Sequence, residues 1–533
     1  MKKSLVLVMV LILSQLSYAP MEPPRAGNTW YVSPSGSGGD CSQANPCQID
    51  NAVQIKSSPN DTILAKSGNY YAPSLTDSYV MYIHKSLHIM GSCEWEATGP
   101  VTCHPETYTS NIRADNEMRG IAIQGLPGDG MTVTIEGFTI LQGNGEGVGP
   151  GTCSTTFGAA VQGCGGGIFA EWVDHLELRN NYIWANYASR SDTTTGISLG
   201  GGIYAEGVGH LVIKNNTFQF NQAARQGKGY GGGIYLEDSG GIDGVLIEDN
   251  MFYGNELTTN KDTLDAMGAG ILAINSTDIQ VNNNDFLWQE NIIKQSVYGS
   301  AIYFKHVENS YIYNNEFHKN YGMSTVRIEG IGDGNTNVVM QRNKIVREDT
   351  AINIEVLGDA EVLIMNNFIG TNNPALWYGY STGIYTKGDL TFGNPDVYVG
   401  YNTFALMSIG VAVDENSDII VENNIFSQTG AEAAVYLIHP PSTTFTVAEN
   451  LFHDNVNDGT TGAVFFTGDP LLVDAFNGDF HIQPGSAAID KVYSWQGGID
   501  IDGQIRPVGV EPDNYDVGAD EFMVQIFMPL IFN

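Results

Sequence analysis

Side chains of opposite charge recur on three successive repeats in the middle of the chain, in the order Lys305, Arg327, Glu329 and Glu355. A polysaccharide lyase needs a base that removes a proton beside a carboxylate, and a group that neutralises that carboxylate. Lys305 or Arg327 could act as the base, while Glu329 and Glu355 could hold a Ca²⁺ ion. The same residues could instead form cross-strand ion pairs that only relieve repulsion between acidic groups.

A column of glutamates is expected on the earlier repeats of the same face. Glu171, Glu206 and Glu237 follow similar Gly-rich segments in three consecutive repeats, and we expect Glu329 and Glu355 to continue the column. Neighbouring strands hold such carboxylates about 5 Å apart, where like charges repel. Either a Ca²⁺ ion lies among them or the side chains diverge into water. Ca²⁺ is the one cofactor that the sequence suggests.

An aromatic column accompanies the acidic one, because Phe or Tyr stands two residues before each of the first three glutamates. Aromatic faces stack on sugar rings, and carboxylates accept hydrogen bonds from sugar hydroxyls. The alternative is that Tyr is frequent there only because exposed strands favour it. Two further aromatic residues lie on a long insert between repeats. The carbohydrate-binding candidates are Phe169, Tyr204, Tyr235, Tyr303, Tyr385, Trp377 and Tyr378.

Motifs of known enzyme classes are missing from the sequence. It contains no HExxH zinc motif, no phosphate-binding loop and no nucleophile elbow. The paired-Asp motifs of polygalacturonases are also absent. These absences favour a non-catalytic role over an enzyme.

The elements that position these residues come from a repeated unit. The segment GGGIFAEWVDHLELRNNYIWAN is followed by GGGIYAEGVGHLVIKNNTFQFN and by further, looser copies. Each copy contains three short alternations of apolar and polar residues, which predict three strands. Leucine-rich repeats share the LxLxxN spacing, but the units here lack a second, Leu-rich half. Three strands per unit, each pairing with the next unit, predict a parallel β-helix.

One asparagine is in register in ten units, with 22 to 35 residues between successive copies. We expect it to take the left-handed conformation at a tight corner, and its amide to bond the next along a ladder. Variable spacing around a constant core predicts loops on one side of a solenoid. The predicted ladder consists of Asn181, Asn216, Asn250, Asn284, Asn315, Asn343, Asn367, Asn402, Asn424 and Asn450.

The GGGIY…NNxF series resembles the right-handed parallel β-helix proteins, the fold of pectate lyases and many surface proteins. Its paired GGGI and FxxN signals are similar to polymorphic outer-membrane protein repeats. The segment DPLLVDAFNGDFHIQPGSAAID…DIDGQIRP…YDVGADEF resembles the end of bacterial choice-of-anchor Q proteins. These resemblances imply an all-β, right-handed parallel β-helix, a solenoid with an N-terminal capping helix, a C-terminal cap and a place at the cell surface.

Composition and motifs divide the chain into five segments. Lys2 and Lys3 precede a short apolar stretch typical of a signal peptide, although the cleavage point stays open. The tail is too short to span a bilayer, so we expect no transmembrane span in the mature chain. The segments are a signal peptide at 1–19, a strand, Cys-clipped loop and capping helix at 27–60, the β-helix at 61–456, the cap at 457–522 and an apolar tail at 523–533.

The even number of cysteines in an exported chain predicts disulfides. Several connectivities are open, and chain order favours three local pairs. These are Cys41 with Cys47, Cys93 with Cys103, and Cys153 with Cys164.

Acidic residues are dense near the C-terminus, at Asp500, Asp502, Asp516, Asp520 and Glu521. The DIDG stretch resembles the start of a calcium loop, but the distant Glu of an EF-hand is missing. Pairing of the carboxylates with a nearby arginine in a structural cap is the favoured alternative. That arginine is Arg506.

A net charge of −35 argues against nucleic acid and anionic membrane as partners, and against an acidic polysaccharide unless cations bridge the two. We therefore expect a monomeric, secreted or cell-surface β-helix protein that binds carbohydrate or another surface component without catalysis. One alternative is a polysaccharide lyase or glycoside hydrolase acting on the outer face of the first strand. A second is a purely structural surface protein. The sequence does not identify the ligand or the anchor.

Overall fold

The chain winds into a parallel β-helix whose coils each contribute three short strands, as predicted. The structure, a computed structural model, describes residues 27–74, 77–146, 153, 156, 160–192, 196–241, 243–258, 266–289, 297–371, 381–429, 432–439, 444–493, 498–506 and 514–522. The predicted signal peptide, the apolar tail, and the sugar-binding candidates Trp377 and Tyr378 lie outside these residues.

Equivalent strands of successive coils pair in parallel and form three long sheets, which we number in the order in which each coil visits them. Within the described residues the first sheet has twelve strands. They are Tyr79–Ile83, Arg119–Gln124, Ile168–Glu171, Ile203–Glu206, Ile234–Glu237, Ile271–Ile274, Ile302–Lys305, Ser324–Glu329, Ile352–Leu357, Thr382–Lys387, Ile409–Val413 and Ala433–Leu437.

The second and third sheets continue each coil. The second comprises Thr29–Val32, Asp61–Lys66, Leu87–Glu94, Thr132–Glu136, His175–Arg179, His210–Lys214, Val245–Glu248, Ile279–Asn282, Ser310–Tyr313, Asn337–Gln341, Glu361–Met365, Asp396–Gly400, Asp418–Glu422 and Phe445–Ala448, with Thr102–Cys103 added antiparallel. The third comprises Gly68–Tyr70, Ser110–Arg113, Phe138–Leu141, Tyr182–Trp184, Thr217–Gln219, Met251–Tyr253, Asp285–Leu287, Glu316–His318, Lys344–Ile345, Phe368–Gly370, Thr403–Ala405, Ile425–Ser427, Asn450–His453 and Phe465–Thr467.

The core lies between these sheets and consists of the inward residue of each alternation. In one coil, Ile203, Leu211 and Phe218 are all fully buried, as the alternation predicts. Equivalent residues stack along the axis, and the rings of Phe218 and Phe252 lie 4.7 Å apart and nearly parallel. Such continuous stacking buries apolar surface that no single coil could bury alone.

The predicted asparagine ladder is confirmed. The Nδ2 of Asn181 donates to Oδ1 of Asn216 over 3.1 Å, and the same bond repeats from coil to coil as far as Asn450. The left-handed residue, however, is the one before each ladder asparagine, with φ between 54° and 60°. Even Tyr401 takes this conformation, because the ladder amide beside it fixes the corner.

A second ladder, not predicted as such, runs through the asparagines of the FxxN signals and begins one coil earlier, at Asn186. The amides of Asn186, Asn221 and Asn255 bond in series over 2.9 and 3.0 Å. The series ends on the carboxyl of Glu348, which accepts from Asn320. Glu348 is fully buried, and this burial raises its pKa to about 8. The rungs are Asn186, Asn221, Asn255, Gln289, Asn320 and Glu348.

The inserts after the third strand form two additional parallel sheets beside the solenoid. One consists of Tyr187–Ser189, Gln222–Ala224 and Glu256–Thr258. The other consists of Val161–Cys164, Ile197–Leu199, Lys228–Tyr230, Ala266–Met267 and Val297–Tyr298. We call the second of these the cover sheet, because its side chains pack against the outward residues of the first sheet.

The N-terminal end has the expected short helix, at Asn51–Lys56, and buries Ala52 and Val53 against the first core residues. All three predicted disulfides are present in the structure. No helix among the described residues is long and apolar enough to span a membrane.

The C-terminal segment packs along the side of the solenoid, against the outer face of the third sheet. It contains an antiparallel pair, Leu472–Asp474 and Asp479–Ile482, joined by a helical turn at Ala475–Asn477. Phe480 packs on Phe368 of the third sheet. The first part of the C-terminal segment, residues 457–467, lies over the last coil, where a cap was expected. Gly459 bridges Val435 of the first sheet, and Phe465–Thr467 pairs with the strand Asn450–His453 of the third. The rest of the segment lies on the flank, because apolar residues on the outer face of the third sheet draw it there.

Candidate functional site

The outer face of the first sheet carries the predicted site residues, in a register that differs from the expected one at Glu355. Glu355 pairs with Arg327 and Tyr385, so it belongs to the aromatic column and not to the column of Glu329. Leu357 takes the position opposite Glu329. A shift of two residues leaves every side chain on the same face, so the alternation pattern could not detect it.

The earlier coils of this face are sealed. Phe169, Tyr204, Tyr235 and Tyr303 are fully buried beneath the cover sheet. The ring of Tyr204 stacks between its two neighbours at 5.4 Å, within 6° of parallel. The expectation that these four rings are open to a sugar is therefore wrong, because the inserts fold back over them.

The glutamates of the sealed coils are also nearly buried. Glu237 accepts a hydrogen bond from the Tyr235 hydroxyl at 2.6 Å, and Tyr204 donates similarly to Glu206. Glu171 accepts from the Gln124 amide at 2.9 Å. Burial raises the pKa of Glu171 and of Glu237. Among the described residues, these three carboxylates do not form a group with ligand atoms close enough for one metal ion.

The four charged residues proposed for catalysis do meet, as an ion-pair network. Arg327 lies 2.9 Å from Glu329 and 3.2 Å from Glu355. Lys305 lies 2.9 Å from the other oxygen of Glu329. The ring of Tyr298 stacks on the guanidinium at 4.2 Å. This arrangement is the cross-strand pairing considered as the alternative to catalysis.

The charges around Arg327 do not suit the role of a catalytic base that was considered for it. Burial lowers the pKa of Arg327, but the charges of Glu355 and Glu329 outweigh it and raise that pKa above its usual value. Burial by itself would raise the pKa of Glu329. The positive charges of Arg327 and Lys305 outweigh burial and hold that pKa below its usual value. Arg327 therefore keeps its proton, and the oxygens proposed for Ca²⁺ are engaged by cations.

Beyond this network the face lies open, and we call Tyr385, Lys387, Asp414, Tyr436 and His439 the open face. The Tyr385 hydroxyl donates to Asp414 over 2.7 Å. The His439 Nδ1 lies 2.6 Å from the other oxygen of Asp414. Tyr436 is 36% exposed, whereas the equivalent ring of Tyr235 is fully buried.

Asp414 is the electrostatic centre of the open face. Its burial raises its pKa, but hydrogen bonds from Tyr385 and His439 lower it to about 2. Lys387 adds a positive charge 3.5 Å away. Sequence reasoning proposed Tyr385 as a binding candidate but not His439. Asp414 directly follows the strand Ile409–Val413, at the position that continues the column of Lys387. The site thus combines the exposed ring of Tyr436 with a buried, ionised carboxylate, the Lys387 ammonium and the His439 imidazole.

Comparisons with known proteins agree with this architecture. The family model described as right handed beta helix region matches residues 103–286, 201–397 and 291–469, which together span most of the chain. No curated protein matches the sequence.

Three solved structures are similar to this chain at 12% sequence identity. Pectate lyase Pel9A has a TM-score of 0.38 and aligns over 96% of this chain and 98% of its own. A mannuronic acid specific polysaccharide family 6 lyase from human gut microbiota has a TM-score of 0.36 and aligns over 83% of this chain and 82% of its own. The catalytic unit of a thermostable GH87 alpha-1,3-glucanase from Streptomyces thermodiastaticus has a TM-score of 0.34 and aligns over 85% of this chain and 72% of its own.

Proposed function

Because the chain belongs to the right-handed β-helix family, we propose that it is an exported rod whose open face binds carbohydrate without cleaving it. The observation that carries the proposal is the exposed aromatic ring of Tyr436 on the same face as Lys387 and His439, two side chains that the buried carboxylate of Asp414 holds in place. A sugar ring offers the matching groups, since its C–H face stacks on aromatic rings. A sugar also offers ring and hydroxyl oxygens that accept hydrogen bonds from ammonium and imidazole groups.

Catalysis is disfavoured because each carboxylate near the face is already engaged. Glu329 and Glu355 are paired with Arg327, and Glu355 also accepts from Ser324 at 2.9 Å. A general base works best with a pKa near the working pH. The low pKa of Asp414, about 2, makes that carboxylate a steady acceptor and a weak base.

A neutral polysaccharide is the favoured ligand class. The net charge of −35 repels an acidic polymer at long range. Lys387 and His439 flank Asp414 and can donate to hydroxyl or ring oxygens of a neutral sugar. The rigid stack of coils holds these groups in place before binding, which reduces the entropic cost.

Export to the cell exterior belongs to the same proposal. Three disulfides are typical of chains that fold outside the reducing cytosol. The predicted signal peptide at 1–19 and the choice-of-anchor Q resemblance of 457–522 point to secretion or surface display. The exported chain would be a monomer divided into the segments 27–60, 61–456, 457–522 and 523–533 after removal of 1–19.

The test is retention of the mature chain on neutral and acidic polysaccharides, with ultraviolet detection of unsaturated products and reducing-end assays. We expect retention on a neutral polymer, no products, and loss of retention in Tyr436→Ala. The matched control is Tyr311→Ala, because Tyr311 is 42% exposed on the second sheet. Turnover would show an enzyme, and equal retention of both variants would reject the open face as the binding site.

A further inference from the structure

A second polar cluster lies on the flank of the solenoid, within the C-terminal segment. His481 belongs to the strand Asp479–Ile482, Asp502 to the turn that follows Asp500, and Asp520 to the last described stretch. Their imidazole and carboxylate ligand atoms all lie within 4.8 Å of one another. Three segments that are separate in sequence therefore present one nitrogen and two oxygen ligands to a common point.

The imidazole of His481 is oriented like a metal ligand. Its Nδ1 lies against the carboxylate of Asp479, which holds the ring in place. Its Nε2 is shielded from solvent and forms no hydrogen bond, although it lies 3.2 Å from an oxygen of Asp502. A carboxylate on one ring nitrogen, with the other nitrogen directed at further acids, is the usual outer-shell arrangement of metal-binding histidines.

Within the described part of the chain, no lysine or arginine forms an ion pair with the carboxylates of the cluster. Asp520 is only 6% exposed, and its Oδ2 accepts the Ile482 N–H at 2.8 Å. The nearby Arg506 is engaged elsewhere, with Glu521 at 3.3 Å, as the sequence predicted for this segment. Even a protonated His481 would bring one positive charge against three aspartates, Asp479 included. Buried carboxylates are stable when paired or bound to a metal.

We propose that His481, Asp502 and Asp520 bind one transition-metal dication of the Zn²⁺ type. Imidazole nitrogen with carboxylate oxygen suits Zn²⁺, whereas Ca²⁺ takes oxygen ligands. The calcium loop suggested by the DIDG stretch is not formed. The first acid of that stretch, Asp500, uses its oxygens to accept the backbone N–H groups of residues 502, 504 and 521.

The bound ion would join the three segments of the flank and hold them against the third sheet. The same segments contact the solenoid through Phe480 on Phe368 and through Gly518, whose N–H donates to the Asn423 carbonyl at 2.9 Å. A ligand that binds only the folded state stabilises it in proportion to the logarithm of its concentration over Kd. The metal site therefore stabilises the folded C-terminal segment and has no part in ligand binding at the open face.

The experiment uses the mature full chain, freed of metal with a chelator and titrated calorimetrically with ZnCl₂ and, separately, CaCl₂. We expect one Zn²⁺ per chain, a higher Tm with Zn²⁺, and far weaker Ca²⁺ binding. His481→Gln removes a ligand and should weaken Zn²⁺ binding by about 100-fold or more, since loss of an outer-shell partner alone costs about 10- to 100-fold. The matched control, His453→Gln, alters another His with the same 27% exposed side chain and should leave the titration unchanged.

Asp502→Asn provides a second reading if His481→Gln does not fold, because the Asp502 side chain is 42% exposed and lies in a turn. It should also weaken Zn²⁺ binding. The proposal is overturned if Zn²⁺ does not bind, if both site variants bind it as the native chain does, or if Ca²⁺ binds as tightly as Zn²⁺.

Discussion

The sealed and open halves of the first sheet use the same column of positions for opposite purposes. In the sealed half, Phe169, Tyr204 and Tyr235 form a dry stack under the cover sheet. In the open half, Tyr385 and Tyr436 occupy the same column with polar neighbours. A strand position is thus core or surface according to what the inserts do, and an aromatic column alone does not identify a binding site.

The second amide ladder follows the same division. Its rungs run from Asn186 to Glu348, beside the coils whose inserts form the cover sheet. Each rung follows a strand of the third sheet, and the first four rungs precede inserts, so the ladder fixes where those inserts leave the solenoid. Glu348 ends the ladder about where the cover sheet stops, next to the ion pairs of Arg327.

The largest expected effect is in the sealed stack. Tyr235→Ala should lower the free energy of unfolding by about 3–5 kcal/mol, because it removes a fully buried ring and leaves a cavity. Tyr436→Ala, in the same column of the open half, should change it by less than about 0.5 kcal/mol. Urea denaturation of both variants measures the contrast. Equal losses would show that the two halves are not distinct.

Removing Arg327, which lies between the sealed and open halves of the first sheet, should lower the free energy of unfolding almost as much. Arg327→Leu leaves Glu355 buried without a cation and leaves Glu329 with Lys305 alone, so it should lower the free energy of unfolding by about 3 kcal/mol. The double variant with Glu355→Gln should recover part of the loss, since the unpaired buried charge is gone. Urea denaturation of the single and double variants tests this, and the absence of recovery would contradict the pairing.

Glu348 should make the second ladder sensitive to pH. Because its folded pKa, about 8, is raised from an ordinary value of 4.5, its stabilising contribution is complete below 4.5. That contribution is lost as pH rises towards 8. Glu348→Gln should be more stable than the native chain by about 1 kcal/mol or more at pH 8 to 9. Gln289 already occupies an equivalent rung.

Thermal unfolding of this variant and the native chain from pH 5 to 9 provides the measurement. The two curves should converge at low pH, where the native carboxyl is protonated in both the folded and the unfolded state. Curves that stay parallel across the range would contradict a buried, titrating Glu348.

The smallest effect is expected on the open face. His439→Ala removes a hydrogen bond to Asp414, so the pKa of that carboxyl should rise from about 2 towards its ordinary 3.8. The contribution of Asp414 is present above 3.8 and is lost as pH falls towards 2. Carboxyl titration by NMR measures the shift. An unchanged midpoint would show that Tyr385 and Lys387 alone hold the charge.

Much of the architecture was predictable because it depends on local patterns. The ladder from Asn181 to Asn450 and the three strands per coil follow from spacing and alternation, which the backbone geometry imposes on every coil. The local disulfides follow from chain order. The left-handed corner residue was assigned one position late, because Asn is also the commonest residue preceding the ladder and the sequence alone does not separate the two.

The sequence by itself determined the repeat, the inward faces and the residues available at each outward position. Only the tertiary structure decided which outward residues stay in contact with solvent. That choice depends on where the inserts and the C-terminal segment fold back, which is a long-range packing decision with no local signature. Long-range packing also explains why Glu355 pairs with Arg327 and why the ring of Tyr204 is buried. It likewise explains how three segments distant in sequence place His481, Asp502 and Asp520 close together.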